Sequence, residues 1–305
     1  MQVKWRRPLI DLARKSQPYL PRDVFRALYG LGHLGYVPNY WYPRTLNEKA
    51  TWWLRHTRDP RLSQRADKLA VRDFVAAVAP SVRLPEVYAV SDDAARFPFE
   101  NLPDVSVMKS NHASQQVRVL RRPFDVEAMR ALGAQWLARP YGNPQWEWHY
   151  VPIPRRLFAE QFLGAADGSP PLDYKILVLN GRATLVSIFI RAEGRLRRVT
   201  FDREWRIVPL HLPQYLGGPP DVVEPELHPP RPRRLHELLL TAERLAEDFP
   251  ILRADFYLID EEIYFGELTF LPSAGYAPFA PVSFDRQLGN LVDVGSRRPW
   301  WWPGR

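Results

Sequence analysis

The chain contains no cysteine, which excludes disulfides, thiolate metal sites and cysteine nucleophiles. No apolar run approaches the roughly 18 residues that a membrane-spanning helix needs. There is no G-x-x-x-x-G-K-[ST] segment, so a Walker-type phosphate loop is absent. No D-x-D pair of the kind that often serves nucleotide-sugar enzymes occurs either. Lysine is scarce, with six lysines against 36 arginines. Lysine is a compact point charge and arginine is not its equivalent around phosphate. The lysines retained at Lys68, Lys109 and Lys175 are therefore candidates for positions that require an ammonium.

What is present fits a soluble globular protein. Its 305 residues can form one large domain or two to three smaller ones, and 46% hydrophobic with 25% charged residues is an ordinary balance. A net charge of +8 suits an anionic partner such as a nucleotide, an acidic polysaccharide or a membrane surface. An arginine-rich coding bias explains the same excess. With no recognised nucleic-acid-binding module, no nucleic-acid partner is expected. The start of the chain does not read as a secretory signal, and the expected compartment is the cytoplasm. The basic segment with Lys4, Arg6 and Arg7 and the tail Trp300-Trp301-Trp302 are candidate contacts with the inner membrane surface.

The pattern divides the chain into a helical region over 1–85 and two mixed regions over 86–158 and 159–305. Residues 47–57 and 62–79 carry apolar side chains at helical spacing, with Asp67-Lys68 inside the second run. Residues 105–109 and 117–120 read as strands around a polar loop, followed by a helix over 124–138. An aromatic, proline-broken stretch at 140–154 precedes another strand at 157–163. Asn180-Gly181 is a strong hairpin signal between strands at 174–179 and 183–190. A Pro/Gly-rich connector spans about 209–232. Leu235, Leu238, Leu239, Ala242, Leu245, Ala246 and Phe249 mark an amphipathic helix. Strands at 252–259 and 263–270 close the pattern. Helices and strands mix without steady alternation, which predicts an α+β fold.

The last hairpin carries the most informative chemistry. Arg253, Asp255 and Tyr257 share one strand face. A three-residue turn at 260–262 pairs Asp255 with Glu267, and opposed side chains stand about 4.5–5.5 Å apart at Cβ. Two carboxylates that close suit a Mg²⁺ ion between them, and Thr269 points the same way. An exposed hairpin facing solvent is the plainer alternative. Lys109 leads into Asn111-His112-Ala113-Ser114, small and polar residues able to present N–H groups to phosphate. Glu160 closes an apolar strand and is a candidate acceptor for an adenine amino group. Asp173, Lys175 and Arg191 supply a further carboxylate and two cations. His112 and His149 are candidate acid–base groups, although a lone histidine is more often structural.

Taken in order, Asp67-Lys68, Val107-Met108-Lys109, Ala159-Glu160-Gln161-Phe162-Leu163, Arg253-Ala254-Asp255 and Gly266-Glu267-Leu268-Thr269 resemble the ATP-grasp superfamily. The chain is more closely similar to its TupA-like branch, the teichuronopeptide-biosynthesis type, often described as glycosyltransferase-like. That likeness runs from about residue 28 to 292. It includes Gly35-Tyr36-Val37-Pro38-Asn39, Pro43-Arg44-Thr45-Leu46-Asn47-Glu48-Lys49 and Asp173-Tyr174-Lys175. The resemblance implies two α+β lobes clasping ATP and Mg²⁺. It implies Lys68, Lys109 and Ser114 at the phosphates, Glu160 and Asp173 along the nucleoside, and Asp255, Glu267 and Thr269 at the metal. Arg253 would steady the transferred phosphoryl group, and Lys175 and Arg191 would line the substrate side.

The implied activity is ATP-dependent amide formation between a carboxylate and an amine, the expected partners being a surface-polysaccharide precursor and an amino acid. Alternatives are a glycosyltransferase, a kinase, or a polysaccharide-binding relative without turnover. One departure bears on the last. The loop reads His112-Ala113-Ser114-Gln115-Gln116 where the family pattern is richer in glycine, which restricts backbone approach to phosphate.

Overall fold

The computed structural model describes residues 6–142, 147–164, 171–192, 195–208, 228–279 and 281–295. The side chains of Arg22, Arg191, Ala192 and residues 195–197 lie outside that description, as do Trp146, most of the 209–232 connector and the tryptophan tail. Five helices come first: α1 (Arg6–Ser16), α2 (Arg22–Leu34), α3 (Leu46–His56), α4 (Arg61–Ala66) and α5 (Val71–Val78). Strands β1 (Val87–Ser91), β2 (Val105–Ser110) and β3 (Val117–Arg121) lead to α6 (Val126–Ala138) and β4 (Leu157–Gln161). Then follow β5 (Asp173–Leu179), β6 (Arg182–Ala192), β7 (Arg195–Phe201), α7 (Leu235–Ala246), β8 (Ile251–Ile259), β9 (Glu262–Thr269) and α8 (Val282–Asn290).

These strands form two antiparallel sheets, ordered β1-β4-β2-β3 and β7-β6-β5-β8-β9. Each sheet has its own core. In the small sheet Met108, Leu120, Leu157 and Ala159 pack against Met129, Leu132 and Trp136 of α6. In the large sheet Ile176, Val186, Leu252 and Phe256 pack with Leu238, Ala242 and Leu245 of α7. The same large core takes in Leu46, Ala50, Leu54, Leu62 and Val75 from the amino-terminal helices. Those helices are thus not a separate layer, and a boundary at 158/159 falls inside β4.

Two local expectations are corrected. Asp67-Lys68 does not lie on a helix. Asp67 is extended (φ −71°, ψ 113°) and ends α4, and its carboxylate accepts from the Leu69 N–H and from Asn111 Nδ2, both at 2.9 Å. That break frees the Lys68 N–H to bond the Asn111 carbonyl in the small lobe. The β8–β9 turn has two residues rather than three, with Asp260 and Glu261 both at positive φ, as a type I′ turn requires. Ile259 therefore faces Glu262, and a bulge restores the expected pairing of Asp255 with Glu267. Gly266 is the residue that permits the bulge, since a Cβ there would stand 2.9 Å from the Asp255 carbonyl oxygen. A G-x-G-x-x-G spelling at Gly30-Leu31-Gly32-His33-Leu34-Gly35 lies at the end of α2 with no strand before it. Gly32 instead lets α1 approach α2 at Ile10.

Candidate active site

Strand register puts Asp173, Lys175, Arg253, Asp255, Glu267 and Thr269 on one face of the large sheet. Asp255 is the centre of this group. It is 2% exposed, and both its oxygens are taken. Oδ1 accepts from Arg253 Nε at 2.7 Å, and Oδ2 accepts from Arg253 Nη2 at 2.7 Å and from Lys175 Nζ at 2.5 Å. Arg253 Nη2 also reaches Glu267 Oε1 at 3.1 Å, beside Thr269 Oγ1 at 3.5 Å from the same oxygen. Burial opposes ionisation of Asp255, but Arg253 and Lys175 outweigh it and hold the carboxyl below the usual range.

Asp173 behaves oppositely. Burial and the nearby Asp255 raise its carboxyl, and the pairing with Lys175 at 2.6 Å only partly offsets them. Its Oδ1 is buried without a hydrogen-bond partner among the described residues. An orphaned buried acceptor fits a hydroxyl donor brought by a ligand.

The small sheet contributes a second pair. Lys109 and Glu160 face the same side of adjacent strands and are ion-paired, and Arg72 Nη1 stands 3.8 Å from Glu160 Oε2. Arg72 is a site neighbour to which sequence reasoning gives no role, because its partner is 88 residues away on another element. Lys68 joins the lobes. Its Nζ donates to the Ala113 carbonyl in the polar loop at 2.7 Å and stands 3.8 Å from Glu267 Oε2 on the large sheet. Burial lowers its ammonium, with Lys109 adding to the effect.

Ser114 is exposed in that loop, next to Gln115, which holds a left-handed φ of 62°. This is a conformation glycine adopts freely and glutamine does not. Arg191 lies on β6 opposite Leu196, so its expected substrate contact lies outside the described side chains. His149 is fully buried against Phe270 and Tyr150, and burial pushes it down to about 3. His112 is likewise buried and lowered by burial. Both are neutral core residues, which speaks against acid–base roles.

A lysine outside the expected set is also committed. Lys49 Nζ donates to the Gly289 and Val292 carbonyls at 2.8 and 2.6 Å, closing the end of α8. The scarcity of lysine was the signal that could have found it.

A metal needs oxygen donors left over for it. Among the described residues no group of three or more His, Cys, Asp or Glu side chains is placed to hold an ion. Two carboxylates alone suit Mg²⁺, which usually keeps several waters and takes phosphate oxygens for the rest. Glu267 Oε2, with only Lys68 Nζ at 3.8 Å among the described residues, is the oxygen left over for such an ion, whereas Asp255 would have to share Oδ1 with Arg253.

The TupA-like ATPgrasp family matches residues 48–293. The chain belongs to that family. Its fold is accordingly ATP-grasp, with the two sheets as the two lobes. No curated protein matches the chain in sequence. Among solved structures it is similar to the D-alanine–D-alanine ligase of Helicobacter pylori, at 12% identity and a TM-score of 0.41, covering 75% of this chain and 59% of that one. It is similar to the ATP-grasp ligase PsnB, solved with a phosphomimetic minimal precursor, Mg and ADP, at 13% identity and a TM-score of 0.43, over 96% and 72%. It is similar to the L-amino acid ligase of Bacillus licheniformis at 13% and 0.41, over 85% and 53%. At these scores the structural likenesses carry no argument of their own, and the chain spans about half to three quarters of their lengths.

Proposed function

We propose that this TupA-like protein is an ATP-dependent carboxylate–amine ligase. The observation that carries the reading is Lys68, which contacts the phosphate-side loop of one lobe and a candidate metal carboxylate of the other. Lys68, Lys109 and the Ser114 loop would receive the phosphates. Glu160 would accept from the adenine amino group, and Asp173 Oδ1 from the ribose. Asp255 and Glu267, with Thr269 alongside, would hold Mg²⁺, which when bound offsets phosphate charge. Arg253 and Lys175 would face the transferring phosphoryl group and the carboxylate, with Arg191 further along β6.

In this reading a carboxylate oxygen attacks the γ-phosphorus as the bond to the β,γ-bridging oxygen breaks, giving an acyl phosphate and ADP. The amine nitrogen then attacks the acyl carbon, phosphate leaves, and the nitrogen gives its proton to solvent. Preplaced cations make positioning and electrostatics the main source of rate. The compartment assigned is the cytoplasm. No described helix is long and apolar enough to cross a membrane.

The test is hydroxylamine trapping. Carboxylates incubated with ATP, Mg²⁺ and hydroxylamine are expected to give hydroxamate and ADP in equal amounts. ADP without hydroxamate from any carboxylate points to a kinase. A second reading, a relative without turnover, is favoured by the left-handed Gln115 in the phosphate loop. It predicts nucleotide binding with no ADP released.

A further inference from the structure

The charged group occupies half of its sheet face. The other half holds a cavity of about 140 Å³ between the sheet, α3 and the segment 272–279. Its floor comes from Leu177, Leu185, Phe189 and Ile251, and its far wall from Leu46, Ala50 and Phe279. Strand register shows that this is the face of Lys175 and Arg253, both of which line the cavity. Its polar side chains are Asn47, Ser187, Thr200, Ser273 and a third cation, Arg198, whose guanidinium lies 5.8 Å from the centre of the Phe189 ring. Ser187 Oγ and Thr200 Oγ1 are 3.1 Å apart and bond each other. Asn47 Nδ2 donates to the Ala277 carbonyl at 2.8 Å and Asn47 Oδ1 accepts from the Ala277 N–H at 2.9 Å, which ties the wall segment to α3. Lys175 Nζ lies 5.7 Å from the centre of the Phe189 ring, so cation and apolar surface adjoin directly.

We propose that this cavity takes the reacting carboxylate, and that its substrate class is a small monocarboxylate with a branched aliphatic or aromatic body. The inference rests on the ligase reading and narrows it. Volume sets the size of the body, since a cavity of about 150 Å³ lined by Leu, Ile and Phe admits benzene. Lining chemistry sets its polarity. A uronate ring would carry several hydroxyls against a floor of Leu177, Leu185, Phe189 and Ile251, where Ser187 and Thr200 already bond each other, and each hydroxyl left unpaired there would weaken binding. The carboxylate end is met by Lys175 and Arg253, whose existing partner Asp255 is the group that Mg²⁺ would draw on. A glycan is therefore not the carboxylate substrate, whatever supplies the amine.

Ligand-observed NMR on the full chain with Mg²⁺ and a non-hydrolysable ATP analogue tests this. The probes are phenylacetate, isovalerate and glucuronate, and circular dichroism checks the fold of each variant. The expected result is binding of phenylacetate and isovalerate at least ~10-fold tighter than glucuronate. Leu185→Trp fills the slot from the floor, and Ala50→Leu enters from the opposite wall. Each folded variant is expected to weaken phenylacetate at least ~10-fold. Glucuronate binding as well as the apolar acids, or phenylacetate unaffected by both substitutions, overturns the proposal. So does failure of both apolar acids to bind the wild-type chain. If the nucleotide analogue binds in that last case, the ligase reading survives without this substrate class. If it does not, both fall.

Discussion

Each sheet carries a lysine–carboxylate pair, and the two pairs are built differently. On the small sheet Glu160 accepts from Lys109 with Arg72 further off, and Arg72 Nη2 has the Pro85 carbonyl at 2.5 Å as a second partner. On the large sheet Asp255 takes three close hydrogen bonds from Arg253 and Lys175, which also pair with Glu267 and Asp173 respectively. Loss of Glu160 leaves one closely paired cation, Lys109, without its carboxylate. Loss of Asp255 leaves two, Arg253 and Lys175, and removes three hydrogen bonds at once. A buried charge whose partner is removed costs far more than the pair ever contributed, commonly about 3–5 kcal/mol.

The difference is sharpest with Asp255→Ala. It is expected to lower stability by about 3–5 kcal/mol in urea unfolding and to abolish Mg²⁺-dependent nucleotide binding. Gly266→Ala comes next. The added Cβ forces the bulge open at the Asp255 carbonyl, and a loss of about 1–3 kcal/mol is expected with weakened metal dependence in calorimetry. Glu160→Gln keeps the shape and removes one charge. It is expected to cost about 1–2 kcal/mol in the same unfolding assay, less than Asp255→Asn. Equal losses for the two amide substitutions would break the comparison.

Acid gives the same contrast within the large sheet. Asp255 has a depressed folded pKa, so the stability it contributes is present above its unfolded value near 4 and is lost as pH falls through the folded value. Asp173 has a raised folded pKa, so ionisation there opposes folding above about pH 4. Asp173→Asn removes that penalty and is therefore expected to raise stability at pH 7, and Asp255→Asn to flatten the acid limb of the stability curve. The smallest effect is Gln115→Gly, which relieves a left-handed residue and is expected to stabilise by up to about 1 kcal/mol.

The sequence made local geometry legible where period and turn chemistry agreed. The β5–β6 hairpin follows from Asn180-Gly181, both at positive φ, and α7 from its apolar spacing. Asp255 and Glu267 were paired correctly through two cancelling errors, a turn one residue too long and an unseen bulge at Gly266. The break at Asp67 was not legible, because the apolar spacing of α4 and α5 runs on through it and the carboxylate that ends α4 binds an asparagine 44 residues away. Nor was β1 or β7. The cavity was hidden for the same reason: its walls come from α3, β5, β6, β7, β8 and the 272–279 segment, and no local pattern joins them.

The most direct test of a two-lobe nucleotide site is calorimetry of ATP with and without Mg²⁺ on the wild-type chain, Lys68→Ala and Glu267→Ala. The account predicts Mg²⁺-dependent ATP binding that each substitution, one at either end of the 3.8 Å Lys68–Glu267 contact, removes. Binding of UDP-sugars with no response to ATP, or ATP binding indifferent to both substitutions, would contradict it.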